Sequence, residues 1–241
     1  MRLDEWLIEH GLAPDQFTAR GLVLSAKVLV NDEPITKTGH QVEEQDVVRV
    51  RAEKEWVSRA GNKLRPALDQ FNFSVKNSTF VDFGASHGGF TEALLQYGAK
   101  RVAAVDVSYG ILVPKLRNND HVQVIERTHV CELTPEKLDF TADYFVADLS
   151  FISLRKVLKC VKTNFPVWEG IALFKPQFEV PREELLKGIV KNETYRVNAI
   201  SDFKNFLIRS QISEIASIDS SIKGSSGNLE VLFHLKWGDI K

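Results

Sequence analysis

At 241 residues, 44% hydrophobic, 26% charged and −1 in net charge, the chain has the makeup of a globular protein, large enough for one α/β domain plus a small module. No apolar run approaches the ~20 residues that cross a bilayer, and Met1-Arg2-Leu3-Asp4-Glu5 is too acidic for a secretory leader, so a cytoplasmic protein without a membrane span is expected. Cys131 and Cys160 stand far from any Cys/His cluster, which argues against a disulfide framework or zinc site and for two reduced thiols.

Residues 2–10 place Leu3, Trp6, Leu7 and Ile8 on the apolar side of an amphipathic helix, ended by Gly11-Leu12-Ala13-Pro14. A second helix runs from Asp15, a capping residue, through Leu24. Val28-Leu29-Val30 and Val47-Val48-Arg49-Val50 read as short strands around an Asn31-Asp32-Glu33-Pro34 turn. These elements set a module at 1–53. A linker at 54–58 (Lys54-Glu55-Trp56-Val57, polar and then aromatic) leads to a domain over 59–241. Seven basic against eleven acidic side chains leave residues 1–55 at −4 and the rest at +3, so a strongly basic nucleic-acid footprint is absent.

Ser58-Arg59-Ala60-Gly61-Asn62-Lys63-Leu64 leads into an amphipathic helix with Leu64, Ala67, Leu68 and Phe71 on one side. Thr79 to Phe83 is a short run rich in β-formers that stops at Gly84. Small residues follow, and a helical pattern (Phe90, Ala93, Leu94, Leu95) begins. A strand, a glycine turn and a helix N-terminus in that order present backbone N–H groups and the positive end of a helix dipole to a ligand. The next strand ends at Asp106, about twenty residues on, where α/β nucleotide folds hold ribose hydroxyls. The turn reads Gly-x-Ser-x-Gly-Gly rather than Gly-x-Gly-x-x-Gly, which disfavours a pyrophosphate and suits a nucleoside without phosphates, such as S-adenosylmethionine.

From residue 79 onward, strands at 79–83, 102–106, 122–125, 143–147, 170–174, 214–218 and 230–236 alternate with helical stretches. That alternation implies an α/β, Rossmann-like domain with a mostly parallel seven-stranded sheet covered on both faces, its ligands beyond the carboxyl ends of the strands. Pro176 to about Arg196 reads as one long structureless stretch, a lid or a plain crossing loop.

Four residues carry chemistry. Lys63 lies just before the core, and Asp148, Lys175 and Glu230 lie at strand ends. Lys175 follows an apolar strand directly, which puts its amine at the carboxyl edge of the sheet. Burial and a second ammonium at Lys63 both disfavour a charged amine there, and a neutral amine can take a proton from a sugar hydroxyl. Asp148 and Glu230 would orient the lysines and hold the summed charge near neutral.

Arg2-Leu3-Asp4-x-Trp6-Leu7, Gly11-Leu12-Ala13 and Val28-x-Val30-Asn31 resemble the alpha-L RNA-binding module of ribosomal small-subunit protein four. Asp82-x-Gly84-x-Ser86-x-Gly88-Gly89-Phe90-Thr91, Ala104-Val105-Asp106-Val107-x-Tyr109-Gly110, Glu126-Arg127-Thr128, Asp148-Leu149-Ser150-Phe151-Ile152-Ser153-Leu154 and Lys175-Pro176-Gln177-Phe178-Glu179 resemble, in that order, the TlyA family of FtsJ-like rRNA methyltransferases, often given haemolysin names. The resemblance implies S-adenosylmethionine-dependent methylation of a ribose 2′-hydroxyl, mostly of cytidine in small- and large-subunit rRNA. It implies Lys63, Asp148, Lys175 and Glu230 as the catalytic set. Gly84, Ser86, Gly88, Gly89 and Phe90 would hold the methionine end of the cofactor, Asp106 its ribose, and Asp148 would touch it as well. Arg2, Arg20, Lys27, Arg59 and Arg65 would face RNA. Ribosomal RNA or ribosomal subunits are the expected partners, and no metal is expected, because the electrophile is already cationic.

His87 stands where the family has threonine, and Phe17 where the RNA module commonly has arginine. With the acidic excess of residues 1–55, these departures keep a second reading open: a cofactor-binding RNA or ribosome-assembly protein with little transferase activity. A pore-forming protein is disfavoured, since neither a long apolar span nor a basic amphipathic helix with a large apolar face is present in the sequence.

Overall fold

The structure is a computed structural model that describes residues 1–50 and 57–238. The expected linker residues Lys54, Glu55 and Trp56 lie outside the described residues. The chain divides into two units, Met1–Glu55 and Trp56–Lys241.

In the first unit, α1 (Leu3–Glu9) and α2 (Gln16–Leu24) precede a three-stranded antiparallel sheet of β1 (Val28–Val30), β2 (Glu33–Ile35) and β3 (Val48–Val50), in the order β2-β1-β3. Leu3, Leu7, Ala19, Val23, Val28 and Val30 form the shared core. Asp15 caps α2, its Oδ1 accepting from the Thr18 N–H at 2.7 Å. The turn expected over Asn31–Pro34 is shorter. Only Asn31 and Asp32 turn, both left-handed (φ 52° and 69°), as two-residue hairpin loops require. Glu33–Ile35 then pairs back on β1 as an edge strand, where Pro34 owes no ladder hydrogen bond.

Asp4 is fully buried in this unit. Arg2 Nε and Nη2 donate to its two oxygens at 3.0 Å each, and Arg20 Nε to Oδ2 at 3.2 Å. The hydrogen bond from Arg2, seconded by that from Arg20, holds the Asp4 carboxyl below the usual range against the opposing effect of burial. Asp4→Asn is therefore expected to lower the unfolding temperature of this unit at pH 7. A depressed carboxyl contributes stability above its unfolded pKa of about 3.9 and loses it on acidification. Melting curves of the two proteins should accordingly converge as the pH falls below that unfolded value.

The second unit runs α3 (Gly61–Gln70), β4 (Thr79–Phe83), α4 (Gly89–Gln96), β5 (Arg101–Val105), α5 (Pro114–Arg117), β6 (Val122–Ile125), β7 (Tyr144–Ala147), α6 (Leu154–Asn164), β8 (Trp168–Phe174), β9 (Leu185–Leu186), β10 (Ile189–Val190), α7 (Glu193–Arg209), β11 (Ser213–Asp219) and β12 (Val231–Trp237). Seven strands form one sheet in the order β11-β12-β8-β7-β4-β5-β6. Its pairings are parallel except those of β12, which runs against both β8 and β11. Phe80, Val102, Val146, Ile171 and Leu173 pack with Leu64, Leu68, Phe90 and Leu94 on one face. Val81, Phe83, Phe145 and Phe174 pack with Leu158, Val161, Phe203 and Leu207 on the other. Burial on both faces makes β4 an unbroken buried run, Asp82 included. Strand order reverses between β4 and β7, which opens the crevice where such sheets bind ligands.

Two expectations are corrected. The stretch from Pro176 to Arg196 is not structureless. It holds the hairpin β9–β10, turning through Lys187 and Gly188 (φ 51° and 81°), and the start of α7, capped by Asn192 Oδ1 on the Tyr195 N–H at 3.0 Å. Strands of two residues are too short to show alternation in a sequence. Cys131 and Cys160 are not separate thiols. They form a disulfide across 29 residues, Cα atoms 5.2 Å apart, because α6 packs on the turn that carries Cys131. No helix among the described residues is long and apolar enough to cross a membrane.

Candidate active site

The four residues singled out for chemistry converge at the carboxyl edge of the sheet. Lys175 follows β8 and Glu230 precedes β12, and the antiparallel register that pairs Val231 with Phe174 makes them neighbours. Asp148 follows β7, and Lys63 reaches in from α3. Lys175 Nζ lies 2.6 Å from Asp148 Oδ1 and donates to Ser150 Oγ at 2.8 Å. Lys63 Nζ donates to Glu230 Oε2 at 2.7 Å and stands 4.0 Å from Asp148 Oδ2. Two ammonium groups and two carboxylates thus form one chain with Asp148 between the lysines. Lys63 and Lys175 are each 8% exposed and Glu230 2%, so their charges are balanced inside the protein rather than by water.

Beside this chain lies a cavity of about 520 Å³ lined by Gly84, Ser86, Asp106, Ile111, Thr128, His129, Asp148 and Leu149 among others. Gly84 is left-handed (φ 79°), and a Cβ on it would stand 2.8 Å from the Asp148 carbonyl. The strands β4 and β7 can therefore approach at the switch point only with glycine here. Asp106 accepts from the Ser86 N–H (2.9 Å) and the Ser108 N–H (2.8 Å), one on each oxygen, so each oxygen keeps a lone pair for a further donor. Glu126 ties the loop after β5 to α5, accepting from the Gly110 N–H at 2.8 Å and from Arg117.

A second cavity of about 320 Å³ lies on the other side, lined by Arg59, Lys63, Ser150, Phe151, Lys175, Gln177, Phe178, Leu185, Gly188, Lys223, Ser225, Ser226 and Glu230 among others. Ser150 and Phe151 line both cavities and stand where the two meet. Phe151 is 93% exposed at φ 62°, an unusual backbone for an aromatic residue, and its ring lies 5.4 Å from that of Phe178.

The remaining sequence-nominated residues divide. Gly84, Ser86, Asp106 and Asp148 line the larger cavity. Phe90 instead lines a small cleft of about 150 Å³ with Ser58, Ser86, Asp148 and Lys175. Gly88 and Gly89 line neither. A Cβ on Gly88 would meet Leu116 at 2.2 Å and one on Gly89 would meet Ser58 Oγ at 2.1 Å, so their smallness serves the packing of α4. His87 is exposed, its ring 3.2 Å from Ser86 Oγ. Arg59 is exposed at the rim of the second cavity and donates to the Lys223 carbonyl at 3.1 Å. Arg2 and Arg20 are engaged with Asp4, Lys27 is half-buried before β1, and Arg65 is exposed on α3. Ser150, Gln177 and Phe178 were quoted in motifs but given no role in the reading of the sequence. Glu179 has a structural one: it accepts from Ser153 Oγ at 2.8 Å and from the Leu154 N–H, capping α6 from outside the helix.

Residues 56–237 match the family model described as FtsJ-like methyltransferase, and residues 1–48 match the S4 domain. The chain belongs to the FtsJ-like methyltransferase family. It is 36% identical over 239 residues to Hemolysin A of Brachyspira hyodysenteriae, covering 97% of this chain and 99% of that one. It is also 36% identical over 242 residues to the 16S/23S rRNA (cytidine-2′-O)-methyltransferase TlyA of Mycobacterium tuberculosis, covering 98% and 89%. The TlyA resemblance read from the motifs thus holds over nearly the full length. A solved hemolysin-named protein of Streptococcus thermophilus superposes with a TM-score of 0.74 at 34% identity, over 99% of this chain and 89% of that one. An S-adenosylmethionine dependent methyltransferase of Listeria monocytogenes, 14% identical with a TM-score of 0.52 over 76% and 100% of the chains, shares the fold.

The larger cavity of this methyltransferase suits the cofactor that its family implies. The Gly84 cradle admits a close backbone approach, and the free lone pairs of Asp106 suit vicinal hydroxyls. Ile111, Val130, Leu149 and Ile152 offer apolar walls to a planar base. Gly84→Ala would force a left-handed alanine against the Asp148 carbonyl, at a cost of about 1–3 kcal/mol. The expected result is a lower melting temperature and at least about tenfold weaker binding of S-adenosylhomocysteine by calorimetry. Unchanged affinity would show that the cradle is not used.

Proposed function

We propose that this methyltransferase transfers the methyl group of S-adenosylmethionine to a ribose 2′-oxygen of ribosomal RNA, with cytidine as the nucleoside acted on. The observation that carries the proposal is the meeting of two cavities at Ser150 and Phe151, next to a buried lysine–carboxylate chain. A donor and an acceptor bound in them would face each other there, and alignment is the largest contribution an enzyme makes to a two-substrate displacement. The full-length similarity to a TlyA that methylates the cytidine 2′-oxygen supports the choice of acceptor, and the S4 domain at residues 1–48 supports RNA as its carrier.

The cofactor, when bound, supplies a cationic sulfonium whose methyl group is open to attack. The chain does the rest. Gly84, Ser86 and Asp148 shape the methionine end, and Asp106 accepts from the ribose hydroxyls. Lys175 is placed to accept the proton that the 2′-hydroxyl gives up as its oxygen takes the methyl group. Asp148 orients Lys175 from one side and Ser150 from the other, while Lys63 and Glu230 close the charge balance. Arg59 is placed for a phosphate at the rim of the second cavity, with Phe151 and Phe178 offering aromatic faces to an unstacked base. Arg65 belongs to the same RNA-facing surface, and Arg2, Arg20 and Lys27 to that of the S4 domain.

The test is methyl transfer from labelled cofactor to ribosomal subunits that lack the modification, with nuclease digestion and mass spectrometry of the products. A 2′-O-methylated nucleoside is the expected product. Cofactor binding without label in either subunit or in free rRNA would favour the RNA-binding assembly factor, a reading to which the −4 charge of residues 1–55 lends weight.

A further inference from the structure

Among the described residues, few buried side-chain polar atoms lack a hydrogen-bond partner, and one of them, Gln177 Oε1, belongs to a residue lining the second cavity. Its amide orientation follows from its neighbour. Gln177 Nε2 faces Glu230 Oε1 at 3.4 Å. The opposite rotamer would set the amide oxygen against that carboxylate, so the nitrogen goes to Glu230 and the oxygen is left with nothing to accept from. Such an atom calls for a donor, and the described residues offer none. Nor is Glu230 free to turn away, since its Oε2 is taken by Lys63 at 2.7 Å. A side chain on Gly224, whose Cβ would meet Oε1 at 2.4 Å, is excluded as well.

The proposal rests on the reading above, in which an RNA nucleotide occupies this cavity with its 2′-hydroxyl at Lys175. The proton of that hydroxyl goes to the lysine. The 3′- and 5′-oxygens of an internal nucleotide are esterified, and phosphates only accept. The donors left to the nucleotide are N–H groups of its base. Gln177 lies two residues from Lys175 on the same turn, within reach of a base whose sugar is held at that lysine. We infer that Gln177 is a specificity-determining residue that accepts a hydrogen bond from the exocyclic amine of the target base. Cytosine presents that amine. Uracil presents a carbonyl oxygen at the same place, which would confront the Gln177 oxygen with a second acceptor and leave both unpaired.

The experiment compares methyl transfer to RNA carrying the mapped target cytidine with transfer to the same RNA carrying uridine there, and carrying N4,N4-dimethylcytidine, which has no amine proton. The native enzyme should favour cytidine over both replacements roughly tenfold or more, as a single well-made base contact does. Gln177→Met, unbranched and unable to accept from the amine comparably, should bring cytidine and uridine within about threefold of each other at unchanged cofactor affinity. The inference is overturned if Gln177→Met keeps the native ratio or slows both RNAs equally, or if the native enzyme accepts dimethylcytidine as readily as cytidine. The dimethylcytidine arm decides the matter with native protein, whatever becomes of the variants' folding. If the native enzyme methylates none of the RNAs, it is the reaction itself that has been misread, and this assignment falls with it.

Discussion

Lys175→Ala is expected to slow methyl transfer by about 10³-fold, within the range lost when a positioned proton acceptor is removed, while leaving cofactor affinity within about twofold. The geometry separates the two effects. Lys175 lines the second cavity and the small cleft but is not among the residues of the larger one. Lys175→Arg sharpens the test. Its guanidinium keeps a positive charge beside Asp148 but does not give up its proton in a protein, so it should be as inactive as the alanine variant. Activity in Lys175→Arg would mean that the site needs only the charge. A loss of cofactor binding in either variant would move Lys175 from the acceptor side to the cofactor side. Melting curves belong in the comparison, because removing Lys175 takes away the ion-pair partner at 2.6 Å from Asp148 and leaves Lys63 at 4.0 Å.

The second large effect concerns a residue outside the proposed chemistry. Asp82 is fully buried in the middle of β4 beneath the glycine turn. Its Oδ2 accepts from Thr91 Oγ1 at 2.7 Å, and its Oδ1 has no partner among the described residues. Burial pushes its carboxyl up to about 7, a rise opposed by the Thr91 hydroxyl and furthered by the neighbouring Asp148 and Asp106. Below about pH 4 the group is protonated in the folded and unfolded chains alike. Between about pH 4 and 7 only the unfolded chain ionises, so folding stability falls by about 1.4 kcal/mol per pH unit from this residue, about 4 kcal/mol in all. Above pH 7 both states are ionised and the decline stops. Asp82→Asn removes the titration. In urea unfolding of the unliganded protein at pH 4.5, 6 and 8, the stability of the variant relative to the parent should rise with pH across that window and then level off. Parallel curves would mean that Asp82 titrates normally and that the folded protein solvates it.

Much of the architecture was legible because it rests on local patterning. All seven strands of the large sheet were placed to within two residues at each end, since strands buried on both faces read as short apolar runs between turns. Asp15 was legible as a helix cap because capping depends on a side chain three residues from its donor. The hairpin β9–β10 was missed because its strands have two residues each, and the edge strand Glu33–Ile35 because Pro34 reads as turn. That Gly88 packs against Leu116 and Gly89 against Ser58 was not legible, because a glycine that faces a ligand and one that faces a side chain look alike in a sequence.

The chain's residues by themselves determined which elements form, and which side chains stand at strand ends where the sheet's carboxyl edge must lie. Hydrogen bonding and hydrophobic periodicity act over a few residues, so a one-dimensional reading captures them. Only the tertiary structure decided how those ends come together. The β12–β8 register sets Glu230 beside Lys175 across 55 residues of chain. The parallel pairing of β4 with β7 presses Gly84 on Asp148, and the packing of α6 joins Cys131 to Cys160. Contacts between distant segments depend on how sheet order and helix packing close a core, and neither spacing nor composition expresses that closure. Gln177 is the same case: its motif was visible, but that its amide oxygen lacks a donor follows from where Glu230 lies.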